Sequence, residues 1–151
     1  MDIYKPPTPD NNRPERQLKP INAICYGLLI SIVLTTIVSI VEALIFGIIV
    51  ATTEGVEKLS ADFIAHNPVF LFIDLIVTFA CLFYAGKVTG KYAFGQELKF
   101  GLIVAVMTIT IYILIYSTMD SSTYPIWYNI ASFASVFVAI LAGAKSMKQT
   151  Q

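Results

Sequence analysis

Four long apolar runs dominate the pattern of hydrophobic and polar positions, at about residues 21–50, 69–85, 98–118 and 126–144. Each is long enough for a helix, rising 1.5 Å per residue, to cross most or all of the roughly 30 Å of bilayer hydrocarbon. Only helices and closed barrels satisfy their own backbone hydrogen bonds in lipid. We therefore predict an all-α integral membrane four-helix bundle, up-down-up-down, within a domain spanning 21–145.

Composition supports a membrane protein and argues against nucleic-acid binding. Of the 151 residues, 56% are apolar and 13% are charged, and the mean hydropathy is +0.72. Ten basic residues balance ten acidic ones, and no basic stripe with interleaved aromatic residues occurs. The expected surroundings are the lipid bilayer and either further copies of the chain or a larger membrane complex.

Polar segments flank and divide the apolar runs. Residues 1–20 contain five of the seven prolines, which favours an extended, mobile tail. This tail is either a docking peptide or a solvated leader, and residues 146–151 form a second short tail. Between the first two runs, segment 51–67 has apolar residues at helical spacing, which predicts a short amphipathic helix on the outer surface. These residues are Val56, Leu59 and Phe63.

The sequence also indicates where the helix of the second run begins. Asn67 precedes Pro68, and asparagine caps a helix well while proline suits its first position. We therefore expect the second membrane helix to begin there.

Basic residues are distributed unequally between the two sides of a four-pass plan. Nine fall on one side: Lys5, Arg13, Arg16, Lys19, Lys87, Lys91, Lys99, Lys145 and Lys148. Lys58 alone falls on the other. This asymmetry predicts that both termini and the 86–97 hairpin are cytoplasmic, in a cell inner membrane. Three aromatic residues at the start of the fourth run, Tyr124, Trp127 and Tyr128, fit a belt at the outer interface.

Residues 85–101 carry a short family resemblance. Ala85-Gly86-Lys87 with Gly90, followed by Phe100-Gly101, resembles the AGR-x-x-G and later HG pairs of small four-pass bacterial membrane proteins of unknown function. Phe100 stands where those proteins have histidine. The resemblance implies a bacterial inner-membrane four-helix protein and carries no activity with it.

Two carboxylic acids, Glu42 and Asp74, interrupt the apolar runs. Glu42 lies about 12 Å before the end of the first run and Asp74 about 9 Å into the second, so similar depths in the outer half are expected. Carboxyl groups that approach each other in hydrocarbon are expected to keep a proton near neutral pH, which makes the two acids candidates for a proton or cation site. The expected polar neighbours are Tyr116, Asn129 and His66.

A structural role is the alternative for the same residues. Glu42 continues a small, polar stripe on the first helix that is typical of a helix-packing face. The other members of the stripe are Gly27, Ser31, Thr35 and Ser39. Gly86 and Gly90, four residues apart, predict a second site of close helix approach.

No catalytic, cofactor or metal motif occurs in the sequence. GxSxG, HExxH and phosphate-binding GxxxxGK[ST] patterns are missing, so we expect neither an enzyme nor a bound cofactor. One histidine and two isolated cysteines, Cys25 and Cys81, give no metal-ligand spacing, and the cysteines are interpreted as packing residues.

Three functions remain open at this stage. The first is a structural or accessory protein that binds partners. The second is a small proton- or cation-coupled transporter or channel that uses Glu42 and Asp74. In plan it resembles the small multidrug transporters, four-pass dimers with a glutamate in the first helix, although their surrounding motif is missing here. The third is a holin or a toxin-immunity protein.

Overall fold

The computed structural model describes residues 20–55, 60–93, 95–118 and 124–147, and these residues form helices and short connections. Five helices follow one another: α1 (Pro20–Thr53), α2 (Ala61–His66), α3 (Pro68–Tyr92), α4 (Glu97–Thr118) and α5 (Ile126–Ser146). All except α2 are long and apolar enough to cross a membrane, so the prediction of an all-helical chain with four candidate spans is confirmed. The predicted 1–20 tail, apart from Pro20, lies outside the described residues.

The predicted start of the second membrane helix is confirmed. The Asn67 side-chain oxygen accepts hydrogen bonds from the backbone N–H groups of Val69 and Phe70, at 3.0 and 3.2 Å, and Pro68 occupies the first turn. These bonds satisfy N–H groups that no earlier turn of the helix can reach.

The end of this helix differs from the prediction. α3 continues to Tyr92, so Gly86 and Gly90 lie inside a helix and not in a hairpin beginning at residue 86. Packing against α5 explains the difference, because the two glycines are contact positions and not turn positions. The chain reverses within 93–96, where Gly95 has φ +85°, a conformation that favours glycine.

The outer segment is only partly described. α1 extends through Thr53, beyond the predicted end at residue 50, and α2 begins after Ser60, whose hydroxyl oxygen accepts from the Phe63 N–H at 3.1 Å. Phe63 is half-buried. Val56 and Leu59, the other members of the predicted amphipathic face, lie outside the described residues.

The helices pack around α3, which contacts α1, α4 and α5. α4 also contacts α1 and α5. A buried apolar cluster joins α3, α4 and α5 and consists of Leu82, Val104, Ala105, Val136, Ala139 and Ile140. Large apolar side chains cover the outside of the bundle, as expected where the surrounding solvent is lipid.

Three glycines lie in the contact between α3 and α5, two on α3 and one on α5. A methyl group built on Gly86 would collide with the carbonyl oxygen of Ile140, and one on Gly90 would lie 2.7 Å from that of Ala144. A methyl group on Gly143 would in turn collide with the carbonyl oxygen of Phe83. The two backbones therefore touch directly, which only glycine permits at these positions.

The predicted polar stripe on α1 is buried only in part. Gly27, Ser31 and Thr35 are buried, whereas Ser39 is exposed in the single chain, so its packing role stays a prediction. Each four-residue step turns the helix about 40° past a full rotation, so Ser39 has drifted about 120° from Gly27. The three-residue step to Glu42 turns back into the arc between Ser31 and Thr35.

We expect Gly86→Ala to lower the free energy of unfolding by about 1–3 kcal/mol, because the added methyl group must displace the α5 backbone. The measurement is the midpoint of denaturation by sodium dodecyl sulfate, followed through the fluorescence of Trp127, the single tryptophan. Ala80→Ser, which adds one atom at an exposed position of α3, is the matched control and should leave the midpoint unchanged. Equal midpoints for both variants would contradict a direct backbone contact.

Candidate functional site

Hydroxyl groups line the contact between α1 and α4. Ser31 Oγ and Thr108 Oγ1 lie 3.3 Å apart, and the Tyr112 hydroxyl donates to Thr35 Oγ1 at 3.2 Å. Because Ser31 already donates to the Leu28 carbonyl, Thr108 is the donor in the first pair. This polar seam lies on the same arc of α1 as Glu42.

Glu42 and Asp74 come together where α1 faces α3. Their carboxyl groups are close enough to interact directly. Both Glu42 carboxylate oxygens are buried, and within the described part of the chain neither accepts a hydrogen bond. One helical turn further along α1, the rings of Phe46 and Phe70 meet at a tilt of 41° with their centroids 4.7 Å apart. Within the described residues, the Glu42 carboxylate therefore lies beside a second acid and has no hydrogen-bond donor.

Asp74 has a donor from α5. The Tyr128 hydroxyl donates a hydrogen bond to Asp74 Oδ2, and Tyr128 is only 8% exposed. Tyr128 therefore points into the bundle, while the aromatic belt at the outer interface stays a prediction. Tyr128 begins the inward face of α5, which continues at four-residue spacing through Ser132, Val136 and Ile140. That periodicity was the signal in the sequence that could have identified it.

Two aromatic rings pack against the ring of Tyr128. The Tyr124 ring stacks on it at 5.4 Å, and Trp127 meets it edge-on at 6.0 Å. Burial, and secondly the charge of Asp74, raise the pKa of the Tyr124 hydroxyl above its ordinary value. Tyr124 is thus a neutral phenol at physiological pH.

Among the described residues, no lysine or arginine lies at the level of the two acids in the bundle. α1 contains no lysine or arginine, and the first lysine of α3, Lys87, lies thirteen residues beyond Asp74, about 20 Å along the axis. Among the described residues, no group of three or more His, Cys, Asp or Glu side chains could hold a metal ion. The described groups around the pair include one tyrosine donor, nearby hydroxyls and the buried Cys81 thiol.

The other expected neighbours are placed differently. Asn129 is half-buried, and within the described residues its side-chain oxygen has no hydrogen-bond partner. His66 is exposed at the end of α2, where it lines an open depression with Ser60 and Phe63. Tyr116 belongs to α4, but its side chain lies outside the described part of the structure. Tyr112, one turn earlier on α4, reaches the α1 seam.

No protein-family model, curated protein or solved structure matches this chain. Its function must therefore be argued from the site itself.

We expect Tyr128→Phe to lower the free energy of unfolding by about 1–2 kcal/mol, because it removes the donor to Asp74 while preserving the aromatic ring. Unfolding in detergent followed by far-ultraviolet circular dichroism measures the change. The control is Tyr84→Phe, at a tyrosine that is 55% exposed, which should have no effect. A Tyr128→Phe protein as stable as the wild type would show that this hydrogen bond contributes nothing to the fold.

Proposed function

We propose that this chain is a four-pass membrane protein that binds and releases a proton at the Glu42–Asp74 carboxyl pair, as a small proton- or cation-coupled transporter or channel. One observation carries the proposal: two acids from different helices interact in the bundle while the Glu42 oxygens have no hydrogen-bond donor among the described residues. Intramembrane acids without a counter-charge are costly to keep and are associated with proton and ion pathways.

The two acids would have different roles in proton exchange. Asp74 accepts a hydrogen bond from Tyr128. Glu42 accepts none from the described residues, so we assign the exchangeable proton to its carboxyl group. A protonated Glu42 becomes a donor, and its O–H can bond to the Asp74 carboxylate. Loss of that proton leaves two adjacent negative charges at low dielectric, which favours its return or its replacement by a cation.

The membrane arrangement belongs to the same proposal: an up-down-up-down bundle with both termini cytoplasmic, in a bacterial inner membrane. Ring contacts between α1 and α3 support the alternating direction, because Tyr26 meets Tyr92 while Phe46 meets Phe70. The nine-to-one distribution of basic residues supports the orientation. Four helices can hardly enclose a path alone, so the proposal includes a homo-oligomer.

Carbodiimide labelling of the protein in membranes, read by mass spectrometry between pH 5 and 9, tests the proposal. Carbodiimides react with protonated carboxyl groups that are shielded from water, so we expect labelling at Glu42 or Asp74 that varies between pH 6 and 8. Glu42→Gln should abolish proton uptake by proteoliposomes and leave the helical circular dichroism signal intact.

Glu97 provides the internal control for that experiment. It is 4% exposed, and its side-chain oxygen Oε1 accepts from the Gly95 N–H at 2.8 Å, so we expect no labelling there. Proton uptake by Glu42→Gln equal to wild type, or labelling of neither Glu42 nor Asp74 across the range, would refute the proposal.

The exposure of α1 favours a second function, an accessory role in which this helix binds another membrane protein or a second copy. Only 6% of the most apolar window of α1 is buried, against 22–28% in the other three long helices. With so small a buried share, this 34-residue helix has most of its surface available to a neighbour.

Cysteine cross-linking in membranes tests this second function. Leu44→Cys and Phe72→Cys, each made with Cys25→Ser, compare positions that are both 63% exposed and that lie level with each other, between the Glu42–Asp74 and Phe46–Phe70 contacts. If α1 is the contact helix, Leu44→Cys should form a disulfide-linked species and Phe72→Cys should not. Equal cross-linking at both positions, or none at Leu44→Cys, would count against α1 as the interface.

A further inference from the structure

Two lysines lie in an open groove at the end of the bundle opposite to the carboxyl pair. Lys87 and Lys91 occupy successive turns of α3, and Tyr84 and Tyr92 line the same groove. Their place on a continuous helix follows from the extension of α3 to Tyr92. Four residues of separation put both ammonium groups on one face of the helix.

The two ammonium groups are available to an external anion. Both lysines are exposed, and no described carboxylate forms an ion pair with either of them. Lys91 Nζ lies 6.0 Å from the centre of the Tyr92 ring, which orients it without neutralising it. Glu97, the buried acid at the start of α4, already accepts a hydrogen bond from the backbone of Gly95.

The rest of the groove is apolar and faces the surroundings of the bundle. Ile30 of α1 and Val88 of α3 form its wall, and both are half-buried. Leu29, beside Ile30 on α1, is 59% exposed, so the apolar wall continues onto the outer surface of the helix. A ligand that fits has an anionic head for the lysines and a hydrocarbon chain for this wall. Tyr84, 55% exposed, is suited to the boundary between them.

We propose that this groove binds an anionic phospholipid, with Lys87 and Lys91 at the headgroup phosphate and an acyl chain along Ile30 and Val88. Basic pockets between membrane helices recognise acidic headgroups in this way. A free phosphate would use the lysines but not the apolar wall. A phospholipid would contact both the lysines, through its headgroup, and the apolar wall, through an acyl chain.

Native mass spectrometry of the full chain in detergent, titrated with phosphatidylglycerol or phosphatidylcholine, tests the site. We expect retention of phosphatidylglycerol, and a loss of affinity of about thirtyfold in Lys87→Gln/Lys91→Gln. Lys87→Arg/Lys91→Arg keeps both charges and should bind within about threefold of wild type. Circular dichroism establishes that each variant is folded.

The matched control is Lys99→Gln/Lys145→Gln, which removes two exposed lysines from α4 and α5 that do not line the groove. It should retain phosphatidylglycerol as wild type does. An equal loss of affinity in this control would show that the lipid is attracted to positive charge in general and does not bind in this groove. Displacement of the lipid by equimolar glycerol phosphate, or equal retention of phosphatidylcholine, would also overturn the proposal.

Discussion

The direct backbone contact between α3 and α5 sets the register on which the polar groups of the bundle depend. Lipid is as apolar as leucine, so helices in a membrane gain little by burying hydrocarbon and associate through close packing and hydrogen bonds. Gly86 packs against Ile140 and Gly90 against Ala144. The residues of each pair are 54 positions apart in the sequence. Asp74 and Tyr128, which lie twelve residues earlier on each helix, are also 54 positions apart. One register thus provides both the tightest backbone contact and the hydrogen bond to the carboxyl pair.

α1 adds the second acid through its own register with α3. Gly27 leaves space that Thr89 fills, and Phe46 meets Phe70 near the other end of the contact. These two contacts set the register of α1 against α3, and this register places Glu42 beside Asp74. The α1–α4 seam is bridged by hydroxyl contacts, each worth about 0.6 kcal/mol on average between membrane helices. The position of Glu42 is therefore held more weakly than that of Asp74.

The relative level of residues along the bundle could be predicted from the sequence, but side-chain direction could not. A constant rise of 1.5 Å per residue suffices to expect Glu42 and Asp74 at one level, and the Asn67-Pro68 pair suffices to locate the start of α3. Direction depends on helix rotation, which hydrophobicity reveals poorly because lipid and protein interior are both apolar. For this reason the inward direction of Tyr128 and the exposure of Ser39 could not be expected from the sequence.

The uneven packing of the bundle determines which helix could respond to a proton. α3 is fixed against α5 by glycine contacts that tolerate no added atom, so it resists rotation at Asp74. α1 has the smallest buried share in its most apolar window among the four long helices, and it bears the acid that has no donor among the described residues. If Glu42 gains and loses a proton as proposed, repulsion from Asp74 in the ionised pair acts between a fixed helix and a loosely held one. We therefore expect α1 to be the helix that moves. Because α1 is also the helix proposed to bind another protein or a second copy, proton binding and association would be coupled through it.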